Sequence, residues 1–289
     1  MHTSALASLP VSRLGLGAGQ IGGDDLDERE VDRLLRGALD LGVTLFDTAR
    51  SYGRSEERLG RHLAGRRDEV VLSTKGGYGI DGVADWSAEA VARGVDEALR
   101  RLRTDRVDVF HLHSCPRETL ERGEVVLALE DAVRAGKVRV AAYSGENDAL
   151  DWAARSGRFG SLMCSVNLVD QRALDGALAE AARRGLGVIA KRPLANACWR
   201  FAERPVGDYA EPYWERFQSL RDRRADWPEA AARFAAFAPG VSTAIVGTRR
   251  LEHLREVAAA VDMGPLEAGL VEELRTWFRA HDRGWLGQI

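Results

Sequence analysis

Short, uninterrupted apolar runs alternate with longer amphipathic stretches along most of this chain. Such runs are typical of parallel strands covered on both faces, whereas apolar positions at helical spacing are typical of helices packed on a sheet. The runs predict strands at 44–47, 70–75, 107–113, 138–143, 162–167, 187–190 and 243–246, with an eighth near 14–17. The amphipathic stretches predict helices at 28–41, 55–64, 88–103, 125–135, 148–155, 173–184, 229–236, 251–261 and 266–280. We therefore expect an α/β fold, a (β/α)8 TIM barrel, in one domain that spans residues 1–289.

One stretch interrupts the alternation. Residues 192–228 are irregular, carry many aromatic side chains, and follow the end of a predicted strand. Loops at the strand ends of a barrel often contact ligands, so we interpret this stretch as a lid or substrate loop. An extra helix packed on the barrel rim explains the same composition equally well.

Charge and cysteine content narrow the classes of function. The 41 basic and 44 acidic residues leave a net charge of −3, which provides no broad field for nucleic acid or for an anionic membrane. No apolar run approaches the ~20 residues of a membrane span. The 3 cysteines lack paired spacing and the N-terminus lacks the pattern of a signal peptide, so we expect a reducing, cytoplasmic location.

Side chains with complementary chemistry lie at the ends of successive predicted strands. One apolar run ends at Asp47, the next ends at Lys75, and a third ends at His113. Tyr52 lies in the loop that begins after Asp47. Because the carboxyl ends of the strands carry the chemistry in parallel α/β barrels, we expect these residues to meet at one site.

Together these residues suit the reduction of a carbonyl group. A tyrosine can donate a proton to a developing alkoxide, but an ordinary pKa of ~10 makes it a weak acid at neutral pH. The ammonium of Lys75 can stabilise the phenolate, and Asp47 can hold that ammonium charged and oriented. His113 can donate a hydrogen bond that polarises the carbonyl. Because none of these side chains can supply hydride, a nicotinamide cofactor is implied.

Each residue also has a structural explanation when it is taken alone. Asp47 can be a loop acid that caps the following helix, and Tyr52 can be an aromatic residue packed on the barrel rim. Lys75 can be a solvated residue at the end of a strand. His111 and His113 have the alternate spacing of a metal pair, but no nearby cysteine or carboxylate completes a site, so we expect no metal. The occurrence of all these groups at matching strand ends favours the shared catalytic interpretation.

The segment 47–60, Asp-Thr-Ala-x-x-Tyr-Gly-x-Ser-Glu-x-x-Leu-Gly, resembles the signature of the aldo-keto reductases. The order Asp, Tyr, Lys, His along the chain is also similar to that family, whose fold is a (β/α)8 barrel. The resemblance runs from about residue 14 to about residue 254. It implies that Tyr52 is the general acid-base and that Lys75 and Asp47 tune it. It also implies that His113 orients the carbonyl substrate.

The same resemblance implies a set of nicotinamide contacts at strand ends. Gly17 and Ser144 fall in segments where the family binds its cofactor, with the serine hydroxyl on the nicotinamide carboxamide. Asn167 also matches, whereas Met163 replaces the glutamine that binds the carboxamide. Lys191 replaces the aromatic residue that stacks on the nicotinamide ring, and its aliphatic stem can cover the same face.

A segment near the C-terminus resembles the family's adenosine-phosphate loop. Gly247 and Thr248 lie between a predicted strand and a helix, where backbone N–H groups and the helix dipole can hold phosphate. Arg249, Arg250 and His253 add groups that suit a 2′-phosphate, although the arginines equally suit a solvated helix start. We therefore expect NADP(H) as the cofactor, with NAD(H) as the alternative.

Three hypotheses follow from these residues. The first is an NADP(H)-dependent reductase that acts on a small-molecule aldehyde or ketone. The second is a non-catalytic barrel subunit that senses the nicotinamide nucleotide and serves a protein partner, which the lost glutamine and aromatic positions favour. The third is a barrel enzyme that forms a Schiff base at Lys75. The sequence predicts neither the identity of the substrate nor the oligomeric state.

Overall fold

A computed structural model of this chain describes residues 1–223 and 226–289. These residues form ten strands, which are β1 Thr3–Leu6, β2 Leu9–Ser12, β3 Leu14–Gly17, β4 Leu45–Asp47, β5 Val71–Gly76, β6 Val107–His113, β7 Val138–Ser144, β8 Ser161–Ser165, β9 Gly187–Lys191 and β10 Thr243–Gly247. The last eight are parallel and close into a barrel in the order β10-β3-β4-β5-β6-β7-β8-β9. This closed barrel confirms the predicted (β/α)8 fold.

Helices connect the strands and cover the outside of the barrel. In the described ranges they are α1 Glu28–Asp40, α2 Ser55–Leu63, α3 Ala88–Leu102, α4 Arg117–Arg122, α5 Glu124–Arg134, α6 Asn147–Ser156, α7 Arg172–Asp175, α8 Ala177–Arg184, α9 Glu211–Phe217, α10 Trp227–Ala236, α11 Leu251–Asp262 and α12 Ala268–His281. Short 3-10 turns lie at Ala18–Ile21, Ala64–Glu69, Ala195–Arg200 and Arg221–Arg223. None of the helices so described combines the length and apolar character that crossing a bilayer requires.

The alternation of side chains along each strand builds the barrel interior and its mouth. Every second residue points inward. The inner apolar layer consists of Leu45, Val71, Val109, Val140, Ala142, Met163, Ile189 and Ile245, with Leu6, Leu9 and Val11 packed beneath them. Residues two positions further along the strands therefore lie one layer higher, at the carboxyl-end mouth. This rule places Asp47, Ser73 and His111 together.

Two local features differ from the sequence prediction. The predicted helix at 173–184 is divided into α7 and α8, because Gly176 adopts φ −115° and ψ −104°, outside the helical range. The antiparallel hairpin of β1 and β2 was not predicted, since Pro10 interrupts a short apolar run. The hairpin supplies three apolar side chains to the inner layer and so closes the amino-terminal end of the barrel.

Most of the aromatic side chains in the irregular 192–228 stretch are packed. Tyr213, Phe217 and Trp227 are buried, whereas Tyr209 is 53% exposed. The stretch contains α9, which agrees with an extra helix packed on the rim. A role as lid or substrate loop stays a prediction, and residues 224 and 225 of the stretch lie outside the described residues.

Candidate active site

The catalytic candidates lie at the carboxyl ends of neighbouring barrel strands. Parallel pairing sets Asp47 of β4 beside Ser73 of β5, and Lys75 of β5 beside His111 of β6. His113 ends β6 and is paired with a residue at the end of β7. The register therefore brings the three predicted strand-end residues to one mouth of the barrel.

Asp47 and Lys75 form a buried ion pair. Lys75 Nζ lies 2.5 Å from Asp47 Oδ2 and donates to the carbonyl oxygen of Thr48 at 2.7 Å. Both side chains are 2% exposed. Burial lowers the pKa of Lys75, but the carboxylate of Asp47 and the phenol of Tyr52 raise it by more, so the net pKa is raised. The ammonium therefore stays charged at neutral pH.

Tyr52 lies in the loop between β4 and α2, against both the lysine and the histidine. Lys75 Nζ is 4.9 Å from the centroid of the Tyr52 ring, and the His113 ring meets Tyr52 edge to face with centroids 6.0 Å apart. Gly53 has φ +53°, and a Cβ on Gly22 would lie 1.9 Å from the Tyr52 carbonyl oxygen, so both glycines are needed to seat this loop. Because Tyr52 is partly exposed, a ligand at the mouth can reach it.

Two buried side chains outside the predicted catalytic set extend the ion pair into the barrel. Ser73 Oγ donates to Asp47 Oδ1 at 2.7 Å and lies 3.1 Å from His111 Nε2. Burial holds the pKa of His111 well below its usual value, so the ring is neutral and its Nε2–H can donate to Ser73. Asp47 thus has a hydrogen-bond partner on each carboxylate oxygen, and Ser73 fixes the oxygen that does not face Lys75.

Replacing Ser73 with alanine should destabilise the protein, because the change leaves Asp47 Oδ1 and His111 without their shared partner. Unsatisfied buried polar groups cost about 1–3 kcal/mol each, so urea unfolding should report a loss of about 2–6 kcal/mol for the two groups. Ser161→Ala is a matched control, since Ser161 Oγ is buried and has no hydrogen-bond partner within the described residues. That variant should keep nearly the wild-type free energy of unfolding, and equal losses in the two variants would contradict the role of Ser73.

His113 is held by an aromatic partner that the sequence analysis missed. Its Nδ1 lies 3.0 Å from the hydroxyl of Tyr78, and the two rings stack with centroids 5.7 Å apart. Burial lowers the pKa of His113 to about 3, and the cations Lys75, Lys191 and Arg192 contribute in the same direction. The imidazole is therefore neutral at physiological pH and can act as a hydrogen-bond donor without releasing a proton.

The low pKa of His113 predicts an acid-sensitive fold. Because the pKa is about 3 in the folded protein and ~6.5 in an unfolded chain, the folded state binds fewer protons between these values. His113 thus contributes stability that is present above pH 6.5 and is lost as the pH falls toward 3. Urea unfolding at pH 7 and pH 4.5 should show that this contribution shrinks by about 2 kcal/mol. Between pH 7 and pH 4.5, the free energy of unfolding of a His113→Gln variant should fall by about 2 kcal/mol less than that of wild type. An equal fall in the two proteins would contradict the low pKa of His113.

The residues assigned to the nicotinamide end lie at the ends of β7 and β9 and just beyond the end of β8. Ser144 ends β7 and is buried at the mouth. Asn167 is fully buried, donates to the carbonyl oxygen of Arg192 at 3.1 Å, and accepts from a backbone N–H two residues on. Its amide therefore makes two hydrogen bonds within the protein, and a contact of Asn167 with the nicotinamide stays a prediction. Lys191 ends β9 and forms an ion pair with Glu146 at 3.3 Å.

Glu146 is a further residue that the sequence analysis missed. Its Oε1 accepts hydrogen bonds from the backbone N–H and the hydroxyl of Ser165, both at 2.8 Å. The same oxygen lies 3.3 Å from Lys191 Nζ and 3.6 Å from an Arg192 nitrogen. An acid just beyond the end of β7 is the same signal that singled out the other strand-end acid, so the pattern could have identified it.

The phosphate candidates lie at the paired carboxyl ends of β3 and β10. Gly247 ends β10 opposite Gly17 of β3, and α11 begins four residues later at Leu251. Thr248 Oγ1 accepts from the backbone N–H of Arg250 at 3.0 Å, and no side chain in the part of the chain described here caps the N-terminus of α11. Uncapped N–H groups next to glycines fit the phosphate of a dinucleotide.

The cations of this loop are exposed to solvent. Arg249, which is 46% exposed, forms an ion pair with Asp25 at 2.8 Å and donates to the carbonyl oxygen of Gln20 at 3.1 Å. Arg250 and His253 are exposed. Together with Arg249, they are the groups of this loop that an anion can reach.

Comparisons with known proteins agree with this architecture. The model of the Aldo/keto reductase family matches residues 13–276. The chain is 32% identical to "Uncharacterized oxidoreductase YrpG" of Bacillus subtilis, over 88% of this chain and 89% of that protein. It resembles the holo form of aldo-keto reductase AKR11C1 from Bacillus halodurans with a TM-score of 0.82, 25% identity and 96% coverage of each chain. A "Probable voltage-gated potassium channel subunit beta" of Oryza sativa is 38% identical over 45% of this chain and 39% of that protein.

Proposed function

We propose, since this chain belongs to the aldo-keto reductase family, that it is an NADP(H)-dependent reductase that converts an aldehyde or a ketone to an alcohol. Members of this family generally use nicotinamide cofactors and act on small carbonyl compounds. The observation that carries the proposal is the buried ion pair of Asp47 and Lys75 beside the Tyr52 ring, whose centroid is 4.9 Å from Lys75 Nζ.

Each of the four residues has one role in the proposed reaction. Tyr52 Oη donates its proton to the carbonyl oxygen of the substrate. The Lys75 ammonium stabilises the phenolate that is left, and Asp47 holds that ammonium in place. His113 Nε2–H donates a hydrogen bond to the same carbonyl oxygen and orients it. NADPH, when bound, supplies hydride to the carbonyl carbon.

The activity test is the oxidation of NADPH by the purified protein in the presence of small aldehydes and ketones. We expect the absorbance of the reduced nicotinamide to fall with at least one compound of the panel, and to fall faster with NADPH than with NADH. Folded protein that binds NADPH but turns over none of the compounds would contradict the proposal.

We assign the preference for NADP(H) to the exposed cations beside α11. Arg250→Ala should raise the Kd for NADPH about tenfold, because a charge-assisted hydrogen bond to phosphate is lost, and should leave the Kd for NADH unchanged. Arg255→Ala is the control, since Arg255 is also exposed but lies further along α11. Titration of protein fluorescence with NADPH and with NADH measures both Kd values for wild type and for each of the two variants. Equal weakening for NADPH and NADH would exclude a 2′-phosphate contact.

A cytoplasmic location stays a prediction. Cys115, Cys164 and Cys198 are all buried and unpaired with one another, a state that a reducing compartment maintains. The oligomeric state is open, and we propose only a small carbonyl compound as partner.

The second candidate function is a nucleotide-sensing subunit without turnover, and the nicotinamide end favours it. Asn167 is engaged by the protein, and Met163 lies in the apolar inner layer of the barrel. The Oryza sativa relative, which matches less than half of this chain, is named as a channel subunit. This candidate predicts that the purified protein retains a bound nicotinamide nucleotide. It also predicts that none of the carbonyl compounds tested causes oxidation of that nucleotide.

A Schiff base at Lys75 has less support. The amine is 2% exposed and is held as an ammonium by Asp47, so it is a poor nucleophile. Borohydride treatment with candidate carbonyl compounds should therefore leave no adduct on Lys75.

A further inference from the structure

The state of the His113 ring decides what this residue can offer a carbonyl group. A neutral imidazole carries one N–H, at either Nδ1 or Nε2, and the other nitrogen is an acceptor. Among residues 1–223 and 226–289, the His113 side chain has a single hydrogen-bond partner, the Tyr78 hydroxyl at 3.0 Å from Nδ1. Nε2 is therefore the nitrogen left for a ligand, and it must carry the proton if the ring is to donate.

We propose that Tyr78 is a positioning residue, which donates its hydroxyl proton to His113 Nδ1 and so holds the ring in the Nε2–H form. A phenol is the stronger donor and an imidazole nitrogen the stronger acceptor of the two groups, which favours this direction of the hydrogen bond. The effect of the Nε2–H form on the carbonyl substrate rests on the proposed reductase function. The presence of the Nε2–H form in the protein does not depend on that function.

The neighbours of the Tyr78 hydroxyl agree with this direction. The hydroxyl has one proton to donate and two neighbours, His113 Nδ1 at 3.0 Å and Ser51 Oγ at 3.3 Å. The shorter distance selects His113, and the Ser51 hydroxyl can in turn donate to the Tyr78 oxygen. That arrangement polarises the phenol and strengthens its bond to the imidazole.

The loop that carries Tyr78 is packed rather than free. The Tyr78 ring lies between His113, stacked at an interplanar angle of 27°, and Trp86, with centroids 5.5 Å apart. Gly77 has φ +121°, and a Cβ there would lie 2.3 Å from the Trp86 ring, so this glycine allows the tryptophan to close on the loop. The backbone N–H of Trp86 donates to the Gly77 carbonyl oxygen at 2.7 Å. The scaffold thus fixes Tyr78 against the imidazole before any ligand binds.

Loss of the hydroxyl removes the donor that holds the ring in the Nε2–H form, so that the Nδ1–H form becomes populated. In the alternative form Nδ1 carries the proton and the Nε2 lone pair faces the carbonyl oxygen, which repels it. Hydrogen-bond partners that fix the ring form of a metal-bound histidine typically contribute about 10–100-fold. We expect an effect of the same order here, so Tyr78→Phe should lower kcat/KM by about 10–100-fold. The fall should appear mainly in kcat, with the Kd for NADPH unchanged, because the contact forms with the reacting carbonyl.

The deciding measurement is the nitrogen-15 NMR spectrum of His113 in ligand-free protein. Wild type should show Nε2 protonated and Nδ1 unprotonated, and Tyr78→Phe should show a mixture or the reverse. Tyr143→Phe is the matched control, because its buried hydroxyl donates to the Cys115 carbonyl oxygen at 3.1 Å and makes no hydrogen bond to His113. This control should keep the wild-type ring form and kcat/KM.

The outcomes separate this inference from the proposed function. A protonated Nδ1 in wild type, or an unchanged Nε2–H form in Tyr78→Phe, overturns the role of Tyr78 even if the protein is an active reductase. Inactive wild type that shows the expected ring forms leaves the role of Tyr78 intact and overturns the reductase proposal. Should Tyr78→Phe fail to fold, the wild-type spectrum decides through the coupling across the hydrogen bond between the Tyr78 hydroxyl proton and His113 Nδ1, whose absence overturns the role of Tyr78.

Discussion

Tyr52→Phe should lower kcat for carbonyl reduction by about 10²–10⁴-fold and should bind NADPH as tightly as wild type. Phenylalanine keeps the ring that lies 4.9 Å from Lys75 Nζ and meets His113 edge to face, but it lacks the proton that we assign to the carbonyl oxygen. Lys75 cannot substitute as the acid, because its raised pKa holds its proton too firmly. Steady-state NADPH oxidation measures kcat, and fluorescence titration measures the Kd.

The Tyr143→Phe variant serves as control here as well, since its tyrosine is buried and its hydroxyl donates to a backbone carbonyl. It should retain the wild-type kcat. Full activity in Tyr52→Phe would show that another group protonates the substrate. A weaker Kd for NADPH with unchanged kcat would show instead that the phenol binds the cofactor.

The strands could be predicted well because their apolar runs are continuous. The run at 107–113 is found as β6, Val107–His113, and the eighth strand lies at Leu14–Gly17 where it was expected. The hairpin of β1 and β2 was missed, since its strands have only 4 residues each and gain their stability from the barrel they close. The break at Gly176 was missed because a glycine inside an amphipathic stretch is compatible with a helix.

The candidate site could be predicted only as far as it depends on strand ends. That rule located Asp47, Lys75 and His113, because parallel pairing brings the ends of neighbouring strands together. The strand-end rule does not predict contacts between residues that are distant in sequence. Arg249 and Asp25, 224 residues apart, pair across the closure of the barrel. Tyr78 lies in a loop whose course no local pattern specifies, and it contacts His113, which is 35 residues further along the chain.

The same dependence applies at the nicotinamide end. The pattern placed Ser144 and Lys191 at strand ends, where the structure has them. Whether an amide or an ammonium at such a position is free for a ligand depends on groups from other segments of the chain. Glu146 forms an ion pair with Lys191, and the Arg192 carbonyl oxygen accepts a hydrogen bond from the amide of Asn167. Position therefore follows from the sequence, whereas availability follows from packing.

Lys75→Met should abolish turnover and also destabilise the fold. Asp47 is 2% exposed, and removal of one member of a buried ion pair typically costs about 3–5 kcal/mol. Burial raises the pKa of Asp47 and Lys75 opposes that shift, so without Lys75 the carboxyl group should take up a proton more readily. A raised pKa in the folded state means that stability is greatest at low pH and is lost as the pH rises through that pKa. The urea-unfolding deficit of Lys75→Met relative to wild type should therefore be larger at pH 8 than at pH 5.

A second change separates this structural cost from the chemistry. Adding Asp47→Asn to Lys75→Met removes the buried charge and keeps a polar group that can accept from Ser73, which donates to the carboxylate at 2.7 Å in the wild type. The double variant should recover much of the lost free energy of unfolding and its pH dependence should diminish. It should still reduce no carbonyl compound, since no ammonium is left to stabilise the Tyr52 phenolate. Recovered stability with recovered activity would mean that Lys75 acts only in folding, and a double variant as unstable as the single one would mean that the ion pair is not the source of the cost.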